Sequence, residues 1–435
     1  MQTASKKVIN GWAMYDWANS VYNLVITTTF FPIYYTEMTK GEPFNGTVTF
    51  MGRDFVNTAL YNYVLAVAYL IVAFTLPILT SIADYKGNKK RFMQFFCYMG
   101  AIACSCLYFF NNENFSFGII CMMLAALGFY GSLVFYNSYL PEIAAVKDRD
   151  RISARGFSFG YIGSVLMQLI GFGLVVFYDK IPFLKSEGDA VRLTFLLVGL
   201  WWIGFAQIPF ARLPKSKGIA EETGNGKNMF TGGFTELKKV FWQVMRMPVM
   251  KRFLTAFFFY NMGVQTVMLA ATNFGSKVLN LPSTKLIITV VLIQLVAIAG
   301  AYFISRLSAR FGNLQILMIV VLFWIVVCIM GYLMQTEYHF YGLAIAVGLV
   351  MGGIQSLSRS TYSKLMPETK DTASFFSFYD ITEKIAIVIG LSSFGYIEEL
   401  TGSMRNSVLA LIVFFALGLF FLFFALSKQK QIAAA

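Results

Sequence analysis

The chain has 435 residues, of which 57% are hydrophobic and 13% charged, against about 25% charged in an ordinary soluble domain. That composition excludes an assembly of water-facing soluble domains. The net charge of +13 does not imply nucleic acid, because roughly three quarters of the 35 Lys and Arg fall on one side of the apolar runs, which is how membrane orientation is encoded.

The apolar runs are about 20 residues long, enough to cross a hydrocarbon core about 30 Å thick. In chain order they make twelve candidate spans: 12–36, 57–80, 92–110, 115–139, 156–178, 191–212, 251–275, 284–305, 314–334, 339–360, 374–396 and 405–427. The expectation is an all-α membrane protein with twelve transmembrane helices and both termini in the cytoplasm. Lys6 and Lys7 precede the first run, but that run is too long and too rich in Trp, Tyr, Asp and Asn for a cleaved leader, so it reads as a retained helix.

The first span carries Asp16, Asn19, Ser20, Asn23 and Thr27 on one helical face. A polar stripe at that depth belongs against a cavity or another helix, not lipid. The second span ends in SIADYKGNKK, Ser81 to Lys90. There Asp84 closes a helix, Gly87 permits a tight turn, and Lys89, Lys90 and Arg91 hold the turn on the cytoplasmic side. The fourth span offers Tyr130 and Asn137. The five cysteines all lie in apolar runs and suggest neither a disulfide framework nor a metal site.

The longest polar connection runs from Arg212 to Arg252 and divides the spans six and six. Its TELKKVFWQVMRMP stretch can form a short amphipathic helix on the membrane surface. The expected organisation is an N-terminal bundle over 1–212, a cytoplasmic linker over 213–250 and a C-terminal bundle over 251–435. Its GNGKNMF and TGGFTELKK lack the spacing of a nucleotide-binding loop, which argues against ATP-driven pumping by this chain alone.

In the second half, the seventh span carries Asn261, Gln265 and Thr272 as an uncharged stripe, and the tenth carries Gln355 and Arg359. Arg359 reads equally as a pathway residue and as a cation complementing a helix end at the interface. The eleventh span carries Asp380, Glu383 and Lys384. Asp380 and Lys384, four apart, form a helical ion pair, which leaves Glu383 without an evident local partner. Asp380 and Glu383, with Asp16, are therefore the candidates for coupling to protons. The one histidine, His339, starts the tenth span on the outer side, which excludes a histidine relay. The halves echo one another: Gly87-Asn88 recurs as Gly312-Asn313, and Pro141-Glu142 as Pro367-Glu368, at nearly the same offset. In RLSARFGN, Ala309 stands where an aspartate would match Asp84, so the second turn reads as one that has lost its charge.

The turn at Asp84 resembles the loop between helices two and three of the major facilitator superfamily. A narrower resemblance rests on NGWAMYDWANSVYNLVITTTFFPIYY in the first span, FYNSYLPEIAAVKDRDRISARGFSFGYIGS from the fourth into the fifth, and GGIQSLSRSTYSKLMPETKDTASFFSFYDITEKIA from the tenth into the eleventh. These segments are similar to the vacuolar effluxer-like, autophagy-related branch of that superfamily, and they bracket nearly the whole chain. Thr80 and Tyr85 depart from the superfamily's loop pattern, where glycine and a basic residue are usual.

The resemblance implies two six-helix bundles that work as a secondary transporter by alternating access, with no cofactor and no metal. It implies that the first and fourth helices of each half line the pathway, which singles out Asp16, Asn19, Asn23, Tyr130, Asn137, Asn261, Gln265, Gln355 and Arg359. It implies a conformational latch at Asp84, Gly87, Lys89, Lys90 and Arg91 that closes on the eleventh helix near Thr372 to Ser374. The expected partners are the bilayer, a small polar solute (an amino acid or short peptide by analogy) and protons as a coupling ion left open. A monomer is expected, in a bacterial cytoplasmic membrane, or in a vacuolar one if the source is fungal. A sugar or multidrug transporter, and a receptor that keeps the fold without transporting, stay open as alternatives.

Overall fold

The computed structural model describes residues 2–215 and 229–434. Residues 216–228 of the expected linker lie outside the described residues, and so does most of GNGKNMF. Among the described residues, twelve long helices and one connecting helix account for nearly all of the fold.

The first helix runs as Lys6–Val21, passes through a π-helical stretch at Tyr22–Phe30, and continues as Phe31–Lys40. The widened turns leave Leu24 O to accept from both Thr28 Oγ1 at 2.7 Å and Thr29 Oγ1 at 3.0 Å, so the threonines serve the loosened backbone. Next come the second helix Asn57–Lys86, third Lys89–Cys106, fourth Phe115–Ser138, fifth Arg149–Val176 and sixth Glu187–Arg212. The connecting helix is Met229–Arg246. The second half holds Pro248–Leu279, Ser283–Phe311, Asn313–Leu333, Glu337–Leu365, Thr372–Thr401 and Met404–Ala434, the seventh to twelfth helices. A small hairpin, Thr47–Phe50 paired antiparallel with Arg53–Val56, caps the turn between the first two helices.

Among the described residues ten helices are long and apolar enough to cross a membrane. The other two of the twelve are the first, with its polar stripe, and the eleventh, with Asp380, Glu383 and Lys384. Large apolar side chains such as Phe74, Leu200, Ile319 and Phe423 are exposed around the outside, where lipid replaces water as the solvent. Inside each half the helices touch closely. A Cβ on Gly128 would collide with the backbone of Gly100, so these two glycines let the third and fourth helices meet backbone to backbone.

The halves meet along the second and eleventh helices, the fifth and eighth, and the fifth and tenth. Both termini reach the same end of the bundle, called the inner end as a label only: Ala4 N donates to Ile143 O, and Lys430 shares a cavity wall with Gly312 and Lys364. The five cysteines are free thiols, four of them buried.

Candidate functional site

A cavity of about 140 Å³ lies between the halves at mid-depth. The first helix supplies Asp16, Asn19 and Asn23, and the fourth Tyr130 and Asn137. The seventh supplies Asn261 and Gln265, and the tenth Gln355 and Arg359. Glu383 and Lys384 of the eleventh helix complete the polar wall. Asp380 does not line it but pairs with Lys384, which does. Sequence reading missed Tyr69, Tyr161, Tyr260, Ser358 and Tyr379, which share the wall. One tyrosine among 23 carries no local mark of facing a cavity rather than a core. Tyr15, next to Asp16 in the chain, does not line the cavity and is fully buried in the N-terminal bundle, 5.0 Å from the Tyr136 ring and 6.1 Å from that of Phe210.

Asp16 and Arg359 form a buried ion pair across the two halves. Asp16 Oδ2 accepts from Arg359 Nη1 and Nη2, both at 3.2 Å, and from the Tyr136 hydroxyl at 2.7 Å. Arg359 also donates to Ser153 Oγ at 3.0 Å, Ser153 O at 2.9 Å and Asn137 Oδ1 at 3.2 Å. Its guanidinium lies against the rings of Phe157 at 4.2 Å and Trp12 at 4.8 Å. A planar, weakly hydrated cation with every donor directed suits such a site, and a lysine could not fill it. Gly156 makes room, since a Cβ there would lie 2.9 Å from Arg359 Nη2 and against the Asp16 carboxylate. Arg359 is thus a residue of the half-to-half interface and not a cation at the membrane surface.

Lys384, 1% exposed, stands between two carboxylates, Asp380 Oδ1 at 3.3 Å and Glu383 Oε2 at 2.6 Å. Glu383 therefore does have a partner, contrary to the expectation from spacing. The helical i,i+4 rule selected Asp380, but the adjacent carboxylate folds back and makes the shorter contact. Gln265 Nε2 also reaches Glu383 Oε1 at 3.4 Å, and the ammonium sits 4.5 Å from the centre of the Tyr130 ring. Tyr130 in turn pairs with the Tyr69 hydroxyl at 3.0 Å and Asn23 Oδ1 at 3.3 Å. Asn19 is fully buried in the wall with neither amide atom bonded, and Asn261 Nδ2 is likewise unpartnered among the described residues.

Two corners join the halves at the inner end. At the first, Gly87 adopts φ +68°, ends the second helix, and aims Asp84 at the start of the eleventh. Asp84 Oδ2 accepts from Ser374 N at 2.7 Å and Ser374 Oγ at 2.8 Å, and Oδ1 from Ala373 N at 3.3 Å. These are orphan donors of a helix N-terminus, where a carboxylate is electrostatically favoured. Lys89, also 1% exposed, lies 3.8 Å from Asp84, pairs directly with Glu142, and donates to Thr372 Oγ1 at 2.6 Å. Lys90 instead caps the sixth helix, donating to Phe210 O at 3.0 Å, and the Arg91 side chain is exposed.

At the second corner, Asp150 in the first turn of the fifth helix accepts from Asn313 Nδ2 at 2.8 Å and Ser308 Oγ at 3.1 Å, and pairs with Lys364. The second-half turn itself carries no carboxylate, as Ala309 implies, and the charge at this corner comes from Asp150 in the first half. Ser308 closes the eighth helix as Asp84 closes the second, while Asp150 opens the fifth helix as Ser374 opens the eleventh. Carboxylate and serine have changed places across the interface. A reading of the turn alone could not see this, because the compensating residue lies in the other half.

Taken together, the fold and site are those of a membrane transporter of the major facilitator type. Residues 4–435 match the family described as vacuole effluxer Atg22 like, and the chain belongs to that family. It is 31% identical over 415 residues to the uncharacterized MFS-type transporter YxiO of Bacillus subtilis (strain 168), covering 95% of this chain and 94% of that one. It is 24% identical over 441 residues to Autophagy-related protein 22-2 of Aspergillus oryzae, covering 81% and 72%. Among solved structures, the major facilitator transporter FucP in its outward conformation superimposes with a TM-score of 0.71 at 14% identity over 96% of this chain and 98% of that one. The chain is an integral membrane secondary transporter, with the bilayer and a solute as partners; its relatives and structural neighbours are transporters and not enzymes.

Proposed function

We propose that this transporter moves a small polar solute, an amino acid or short peptide, by alternating access, and that protons drive it. The observation that carries the reading is the charge balance of the central cavity. Asp16 and Arg359 cancel, whereas Lys384 answers two carboxylates, Asp380 and Glu383. One negative charge is left over in a medium that penalises it heavily. A proton, or the ammonium of a solute, compensates it, and exchange between the two couples their movements. Amide and hydroxyl groups from both halves, with both Asn19 amide atoms and Asn261 Nδ2 unpartnered among the described residues, offer such a solute donors and acceptors on each side.

In this reading the two corners hold the inner end closed and the solute exchanges with the outer side. Binding then favours the state in which both corners part. The inner end is the cytoplasmic one, the protein works as a monomer, and for a chain similar to a Bacillus protein the site is the cytoplasmic membrane. The fungal names point to amino acids only by analogy.

Proteoliposomes test this. Substrates are first found by thermal shift against amino acids and short peptides at two pH values, then followed as counterflow and as accumulation driven by a pH gradient. Glu383→Gln is expected to keep counterflow and lose gradient-driven accumulation. Undiminished accumulation in both Glu383→Gln and Asp380→Asn would refute proton coupling through this cluster. Binding without any counterflow would make the protein a receptor instead.

A further inference from the structure

The connecting helix Met229–Arg246 presents two apolar faces. Val240 and Val244 are fully buried, where the helix packs on the second helix and, more lightly, on the seventh and eleventh. Phe234, Trp242 and Met245 face outward and are 56%, 52% and 36% exposed. Its described side chains include Lys238, Lys239 and Arg246 against one carboxylate, Glu236. An exposed aromatic face bordered by cations at the inner end of a membrane protein is complementary to the headgroup region of an anionic bilayer.

The inward face reaches the first corner. Lys239 Nζ lies 3.1 Å from Asp371 Oδ2 and 2.8 Å from Glu236 Oε2. Asp371 is the N-cap residue of the eleventh helix, 2% exposed, and its Oδ1 has no partner among the described residues. Its carboxylate therefore shares one helix end with that of Asp84, which binds the N–H groups of Ala373 and Ser374. Lys89 stands beside Asp84, and Lys239 answers Asp371. Without Lys239, two like charges crowd the same first turn, and the contact that closes the corner weakens.

We infer that the connecting helix is a bilayer-anchored strap: its outer face docks on anionic lipid, and its Lys239 holds the Asp84 corner shut by neutralising Asp371. The helix touches both members of that corner, so the inner end cannot open without the strap leaving one of them. The lipid at the inner surface thereby sets the balance between the two transport states. This inference rests on the alternating-access reading.

The experiment places spin labels at the exposed Lys86 and Glu368, which flank the corner, and measures the closed fraction in detergent, in phosphatidylcholine nanodiscs and in nanodiscs containing phosphatidylglycerol. A separate label at Trp242 reports immersion by its relative accessibility to oxygen and to a water-soluble nickel chelate. The expected results are an immersed label, a larger closed fraction with phosphatidylglycerol, and a closed-to-open ratio about fivefold lower in Lys239→Gln, as for a half-exposed pair. The Phe234→Ser, Trp242→Ser, Met245→Ser triple variant is expected to abolish the lipid dependence. A water-exposed label, or an outer face covered by a second copy of the chain, overturns the lipid assignment. If Lys239→Gln leaves the distance unchanged while Asp84→Asn shifts it, the strap fails and alternating access stands. A distance that no condition or variant shifts removes both.

Discussion

The two inner corners use the same parts in opposite places. At the first, the carboxylate belongs to the end of the second helix and the serine to the start of the eleventh; at the second, the serine ends the eighth helix and the carboxylate starts the fifth. Each arrangement sets a negative charge at a helix N-terminus, where the aligned peptide dipoles favour it. What differs is the surrounding. Asp84 and Lys89 are nearly inaccessible, whereas Lys364 at the second corner keeps 21% of its side chain exposed. Equal chemistry in unequal solvent is worth unequal energy, so the first corner should hold the inner end closed more firmly than the second.

The largest expected effect tests whether the corners can be compared at all without the ion pair that joins the same two halves. Arg359→Met leaves Asp16 buried and unpaired, a change that costs about 3–5 kcal/mol. Thermal unfolding should fall and transport should stop with both corners intact. Gly156→Ala should act in the same direction by pushing on the same pair, and an undiminished melting temperature in both variants would remove the pair from the structural core.

An intermediate effect separates the corners. Asp84→Asn should lower the closed fraction of the inner end by about 2 kcal/mol, the upper range for a partly buried charge at a helix terminus. Asp150→Asn should lower it by about 1 kcal/mol, because water reaches its lysine partner. Distances between labels at Lys86 and Glu368, and at the exposed Arg151 and Arg310, read the two separately. Equal losses at the two corners would show that burial does not set their strengths.

The smallest effect is the sharpest test of reciprocity. The double variant Asp84→Ser/Ser374→Asp builds the second corner's arrangement at the first. It should close to within about 1 kcal/mol of the parent, with a favourable coupling energy between the two substitutions in a double-mutant cycle. Additive losses would mean that the exchange of carboxylate and serine is incidental.

Much of this molecule was legible before any coordinates. Hydrophobic run length located the spans and helical periodicity collected Asp16, Asn19 and Asn23 on one face, because each signal is local in the chain. The residues expected in the pathway do line one cavity. Apart from Tyr130, the tyrosines of that cavity were illegible, since an aromatic in an apolar span looks the same whether it faces a solute or a core.

Tertiary structure alone decided which charge answers which. Local spacing favours Asp380 for Lys384, yet the nearer contact is Glu383, because the long side chains are free to choose within one helix turn. Arg359 meets Asp16 across 343 positions, and Asp150 meets Lys364 across 214, distances over which no periodicity carries information. In a membrane interior a buried charge must find a partner, so the sequence determines that partners exist. Which partner it finds depends on how the two halves pack, and the reciprocal corners exist only in that packing.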